Sequence, residues 1–172
     1  MKPRLTTLAP LAALGVALLA GCSIGHDEPA APAITFGTDG QPSLLPASQA
    51  APATQLQVKV LTPGDGPRVE EGQEVQVLYT GWLWPSGVLF DSAYQRGTPI
   101  TFPLARGTLI DGWVDGLVGQ RVGSTVEIVI PPDKAYGSQA VGGVPANSTL
   151  VFVVDILSAA APSAAATAAA TP

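Results

Sequence analysis

The chain has 172 residues, 47% hydrophobic and 12% charged, with 19 Gly, 17 Pro and a single Cys. Such a composition suits one ordinary globular domain and excludes a collagen-like repeat or a disulfide framework. The net charge of −5 offers little attraction for nucleic acid or for an anionic lipid surface.

Residues 1–22 read MKPRLTTLAPLAALGVALLAGC: Lys2 and Arg4 first, then an apolar run from Leu5 to Ala20, then small residues. This is the pattern of an export signal. The run falls short of the roughly 20 residues that span a bilayer, and a polar, Pro-containing segment follows it. The ending Leu19-Ala20-Gly21-Cys22 resembles the lipobox of bacterial lipoproteins. That resemblance implies that residues 1–21 are a removed signal peptide and that the only cysteine, Cys22, is lipidated. Two or more acyl chains anchor stably where one binds only marginally. The expected location is therefore the cell membrane, by lipid anchor, on its extracytoplasmic face (periplasm or cell surface). Without Lys2 and Arg4, six cations face 13 acidic residues, a net of −7, so membrane contact falls to the acyl chains.

Residues 22–54 carry Pro29, Pro32, Pro42, Pro46 and Pro52 among Ala, Ser, Gln and Gly, which is the composition of a tether. Within it, Ile34-Thr35-Phe36-Gly37 is short and apolar enough to form a strand docking on the domain. At the other end, residues 158–172 are low-complexity and Ala-rich with no face to bury, and read as a disordered tail. The folded domain is then residues 55–157, large enough for one core.

Inside it, Leu56 to Val60 alternates apolar and polar, and the turn cluster TPGDGP follows. Val75 to Tyr79 alternates again and continues to Trp84, where Pro85-Ser86-Gly87 turns the chain into a strand from Val88 to Phe90, making a hairpin. Ile110, Trp113, Val114 and Leu117 fall at i, i+3, i+4 and i+7, the face of a short helix that Thr108 would cap. Gly112 and Gly116 each cost about 1 kcal/mol relative to Ala in a helix, so packing must hold it. Val126 to Ile130 and Leu150 to Leu157 are two more strands, the last nearly all apolar and so expected to be central. The pattern predicts an antiparallel sheet with one helix.

Much chemistry is excluded by residue type. The only histidine, His26, lies in the tether, so a Ser-His-Asp triad, a Cys-His pair and a His-based zinc site are unavailable to the domain. No GxxxxGK[ST] loop occurs. Asp111 and Asp115 share a helix face but sit where the macrodipole favours solvated carboxylates. Asn147-Ser148-Thr149 reads as a surface turn. What remains is Tyr79, Phe90, Trp113, Tyr136 and Phe152, with Asp91 among them. Taken singly these are core, strand and loop residues, and Asp91-Ser92 suits an Asx-turn.

Taken together they carry more. VLYTGWLWPSGVLFDSAY, GTPITFPLARGTLIDGWVDGLVGQRVG, IPPDKAYG and VPANSTLVFVVDIL, in that order, closely resemble the motifs of FKBP-type peptidyl-prolyl cis/trans isomerases, over nearly all of Gln55 to Leu157. The resemblance implies an α+β fold, a curved antiparallel sheet of five or six strands wrapped around one short helix. It implies a substrate pocket made by Tyr79, Phe90, Ile100, Leu109, Ile110, Trp113 and Phe152, with Asp91 and Tyr136 acting on the bound amide. No cofactor or metal is called for. Partners would be Pro-containing exported polypeptides, and macrolides such as rapamycin would inhibit. Two departures fall at the rim: Ile100 stands where the best-known members carry Phe, and the loop GSQAVGGVPANST is shorter, with Gly143 where they have an aliphatic residue. A rival reading is a binding module or chaperone that grips Pro-containing segments without catalysis. Retention of Tyr79, Asp91, Trp113 and Tyr136 together favours catalysis.

Overall fold

A computed structural model describes residues 32–45 and 53–161; the expected export signal, Cys22 and residues 162–172 of the expected tail lie outside them. In chain order the elements are β1 (Ala33–Phe36), β2 (Pro42–Leu45), β3 (Gln57–Thr62), β4 (Glu74–Trp84), β5 (Val88–Ser92), α1 (Ala93–Arg96), β6 (Ile100–Pro103), α2 (Asp111–Leu117), β7 (Thr125–Ile130) and β8 (Thr149–Ala160). A 3-10 turn spans Pro132–Lys134. The main sheet has six strands in the order β3-β7-β8-β4-β5, with β6 pairing the first part of β4. Every pairing is antiparallel. This is the expected α+β architecture.

The period-2 alternation sorts the side chains onto two faces. Val75, Val77 and Tyr79 of β4, Val126, Ile128 and Ile130 of β7, and Leu150, Phe152, Val154 and Ile156 of β8 point inward, where α2 adds Trp113, Val114 and Leu117. Trp82, Trp84, Val129, Val151 and Val153 form a second buried cluster on the reverse face. The apolar run of β8 follows from this: a strand covered on both faces has no solvent side to reserve for polar residues. Its central place, between β7 and β4, is as the sequence predicts.

The reverse face is covered by a feature that corrects the tether reading. β1 and β2 pair with Ile34 opposite Leu44 and Phe36 opposite Pro42. Their turn is closed by Gly37 N–H on the Gln41 carbonyl at 3.0 Å and by Gln41 N–H on Asp39 Oδ1 at 3.1 Å, with Gly40 at φ +74°. Leu44, Ala53 and Ile34 pack on the Trp82–Trp84 cluster, so residues 33–45 are part of the folded body and the strand expected around Ile34 does dock. The other boundary shifts too: β8 runs to Ala160, opposite Glu74. Small side chains conceal this from pattern reading, because ladder hydrogen bonds need none.

The helix corrects one expectation and explains a cost. Its N-cap is Ile110, with no side-chain cap bond, so Thr108 does not cap it. A Cβ on Gly112 would stand 2.3 Å from Ile130 Cγ2, and one on Gly116 2.9 Å from Ile128 Cδ1. The two glycines weaken the helix so that it can lie directly on β7. Three further elements escape pattern reading because each is only four residues or fewer: β6, the 3-10 turn, and α1, which Ser92 caps by accepting from Gln95 N–H at 3.1 Å.

Candidate functional site

Between the concave sheet face and α2 lies a cavity of about 550 Å³. All nine pocket residues expected from the sequence line it: Tyr79, Phe90, Asp91, Ile100, Leu109, Ile110, Trp113, Tyr136 and Phe152. Phe102, Thr108 and Ala135 line it as well; the sequence motifs point to none of them as wall residues, and Thr108 only as a helix cap. Gly143 does not reach it. Of the two departures at the rim, only Ile100 is a wall residue.

Trp113, buried at the first turns of α2, organises the walls. Its ring meets Tyr79 edge-on at 5.2 Å, Phe152 at 5.1 Å and Phe102 at 5.2 Å between centroids, and Phe90 meets Phe152 at 5.6 Å. These T-shaped pairs are a favourable aromatic geometry. They also explain the glycine of Tyr79-Thr80-Gly81: a Cβ there would lie 2.7 Å from the Phe152 ring and 2.8 Å from Phe90. Only glycine lets both rings close over β4.

Asp91 is not the lone charge that the sequence suggests. The Tyr79 hydroxyl donates to its Oδ2, and Arg96 donates to and ion-pairs with its Oδ1. Arg96 Nη2 also lies 3.4 Å from the Tyr79 hydroxyl, with the guanidinium 5.9 Å from the Tyr79 ring centroid. Arg96 reaches these groups because α1 turns the chain immediately after Asp91. Ser92 caps that turn and is itself held by Thr80 Oγ1 at 3.0 Å. Burial pushes the Asp91 pKa up, but hydrogen bonds from Tyr79 and Arg96 and the Arg96 charge outweigh it and hold the carboxyl below its ordinary value. Burial, then the bond to Asp91, push the Tyr79 phenol up to about 12. At neutral pH the site holds a carboxylate, a guanidinium and an undissociated phenol, a set suited to orientation and unsuited to proton transfer.

Two donors remain open toward the cavity. The Tyr136 hydroxyl has no hydrogen-bond partner among the described residues. Ile110 N–H, at the uncapped start of α2, takes no part in the backbone bonds there, whereas its carbonyl accepts from Trp113 N–H at 3.0 Å. The loops that carry them are pinned to α2 by one residue. Asp115 Oδ1 receives Arg106 Nη2 at 2.6 Å and its Oδ2 receives Lys134 Nζ at 2.7 Å. Asp115 is thus a clamp, not the solvated helix carboxylate that its position suggests. Beyond Tyr136, Gly137 N–H bonds the Pro132 carbonyl at 2.8 Å and the Gly137 carbonyl accepts from Asn147 N–H at 2.7 Å.

No group of three or more metal-ligating side chains occurs among the described residues. The site is thus an aromatic cavity lined by Asp91, paired with Tyr79 and Arg96, and by Tyr136 and Ile110. Known proteins give the class. The model of the FKBP-type peptidyl-prolyl cis-trans isomerases matches residues 66–157. An FK506-binding protein of Streptomyces anulatus is 40% identical over 108 residues, 62% of this chain and 87% of that protein. FK506-binding protein 1A of Neurospora crassa is 43% identical over 104 residues, 59% of this chain and 86% of its own. Among solved structures, FkpA from Escherichia coli superposes with a TM-score of 0.58 at 34% identity, covering 74% of this chain and 52% of that one, so this chain spans about half of FkpA. The chain belongs to the FKBP-type peptidyl-prolyl cis-trans isomerase family.

Proposed function

We propose that this isomerase assists the folding of exported, Pro-containing polypeptides from a lipid anchor at Cys22 on the extracytoplasmic face of the membrane, stabilising a twisted Xaa-Pro amide without a covalent step. An Xaa-Pro bond prefers trans by only about 0.5–1 kcal/mol, yet about 18–20 kcal/mol separates the isomers because rotation breaks amide resonance. A twisted amide has less charge separation than a planar one, so an apolar enclosure favours it relative to the ground state. Trp113, Phe90, Phe152, Phe102 and Ile110 supply that enclosure. Tyr136 hydroxyl and Ile110 N–H hold the substrate carbonyl. Asp91, paired with Arg96, holds the Tyr79 ring against Trp113 and sets a fixed dipole at the wall. Each 1.4 kcal/mol of preference for the twisted state gives about tenfold in rate.

The observation that carries this reading is the pair of unpartnered donors set into an aromatic cavity. The test is the isomerisation rate of a short Xaa-Pro peptide with and without rapamycin. Catalysis that the drug blocks is expected. No catalysis would leave a binding module, and catalysis insensitive to the drug would locate the change at Ile100. For the anchor, the full-length chain should partition into detergent when expressed in a bacterial host, and Cys22→Ser should move it to the aqueous phase.

A further inference from the structure

The two edges of the main sheet are protected differently. β3, at one end, presents an exposed lysine, Lys59, in mid-strand, a common defence against strand addition. β5, at the other, begins Val88-Leu89-Phe90 with no charge or proline before Asp91, and leaves Val88 54% and Leu89 38% exposed. Among the described residues its only strand partner is β4, so one side of its backbone makes no ladder bonds with them. Val88 and Leu89, as successive strand residues, point to opposite faces. A patch on one face would not use both, but a strand added alongside would cover both.

This open edge leads into the cavity through a bulge at Phe90, where Leu89 pairs with Trp82 and Asp91 with Gly81, since Phe90 and Asp91 of the same strand are wall residues. Val88 lies on the Phe90 side of the strand, about 7 Å further along. We propose that the free edge of β5 is a second contact for the substrate. An extended, uncharged, apolar stretch of client polypeptide flanking the proline adds to it by backbone hydrogen bonds and covers Val88 and Leu89 while the proline occupies the cavity. Continuity with the cavity selects a client over a second copy of the chain, and two copies, each at −5 net charge, repel. The inference rests on the isomerase reading of the cavity.

The test compares kcat/KM for a short Xaa-Pro peptide with that for longer peptides extended by Val and Ile on either flank, using the wild-type chain and the double variant Val88→Lys, Leu89→Lys. The wild type should prefer one of the longer peptides about tenfold, equivalent to ~1.4 kcal/mol. The double variant should keep the short-peptide rate and lose that preference. N-methylating alternate amides of the favoured flank should abolish the preference of the unaltered protein, a readout independent of how the variant folds. A preference that survives both changes, or no preference in the wild type, would overturn the proposal. So would a wild-type dimer in sedimentation that the lysines dissociate, with no effect of peptide length. Inactivity of the wild type on the short peptide would instead sink the isomerase reading itself.

Discussion

The carboxylate of Asp91 serves two donors at once, and replacing it separates positioning from enclosure. With Asp91→Ala, Tyr79 and Arg96 lose their shared acceptor while the Trp113 floor stays in place, so kcat/KM on a short Xaa-Pro peptide should fall about tenfold. Trp113→Ala removes the floor and should cost more. Full activity in Asp91→Ala would end any electrostatic role for this residue. The pH profile is a second check. Asp91 is held below its ordinary value and Tyr79 at about 12, so neither changes charge between roughly pH 5 and 9, and kcat/KM should be flat there. A bell-shaped profile in that range would bring back acid–base catalysis. Asp91, Tyr79 and Tyr136 were legible in the sequence because they stand in motifs of fixed order. Arg96 was not: its role depends on a four-residue helix too short to show a period. Phe102 was missed for the same reason, since β6 is a four-residue strand ending in proline.

At the scale of elements, α2 and β7 are fitted by what two glycines lack. Gly112→Ala gains about 1 kcal/mol of helix propensity but drives a methyl into Ile130. Overpacking typically costs about 1–3 kcal/mol, so a net loss of stability is expected in urea unfolding. Gly112→Ala should cost less in an Ile130→Ala background, which removes all three crowding atoms, than in the wild type, and a stabilised single variant would contradict the close packing. The sequence shows the helix by its apolar spacing and shows its glycines only as a weakness; their use appears once β7 is beneath them. The first strand of the β1–β2 hairpin is legible around Ile34, but its partner β2 is hidden by composition, because the prolines and small residues of this stretch outweigh the single docking side chain Leu44. Deleting residues 32–45 should expose Trp82 and Trp84, red-shift the tryptophan emission and lower stability by about 2–5 kcal/mol. It should leave short-peptide catalysis in place, because the cavity lies on the opposite face. Unchanged emission would mean that the hairpin does not cover them.

For the whole molecule, carboxylates on opposite faces shape stability in opposite directions. Asp91 and Asp115 have lowered pKa values, Asp115 through its bonds to Lys134 and Arg106. Their contributions are complete above the ordinary value of 3.8 and are lost as pH falls through the lowered values. Glu127 is 2% exposed on β7, and neither of its oxygens has a hydrogen-bond partner among the described residues. Burial raises its pKa, only partly offset by Lys59, so the folded state holds its proton longer than the unfolded one. Stability therefore falls as pH rises from 4.5 through the raised value. Urea midpoints across pH 3 to 8 should peak in the ordinary carboxylate range, and Glu127→Gln should remove the decline above it. A decline that persists in the variant would assign it elsewhere. The antiparallel sheet with one helix follows from the alternation of β3, β4 and β7, the apolar run of β8 and the helical spacing of Ile110, Trp113, Val114 and Leu117. Coverage of the second face could not be foreseen, since it depends on which distant segment comes to lie there.

The hairpin on the back of β4 also has a mechanical consequence. Tension entering from the N-terminal side reaches β1 and β2 before it reaches the main sheet. The hairpin is held through Ile34 and Leu44, so it would peel away at low load, lengthening the chain while β4, β8 and the cavity walls stay assembled. Under such a load the hairpin would be the segment that yields first, sparing the cavity walls.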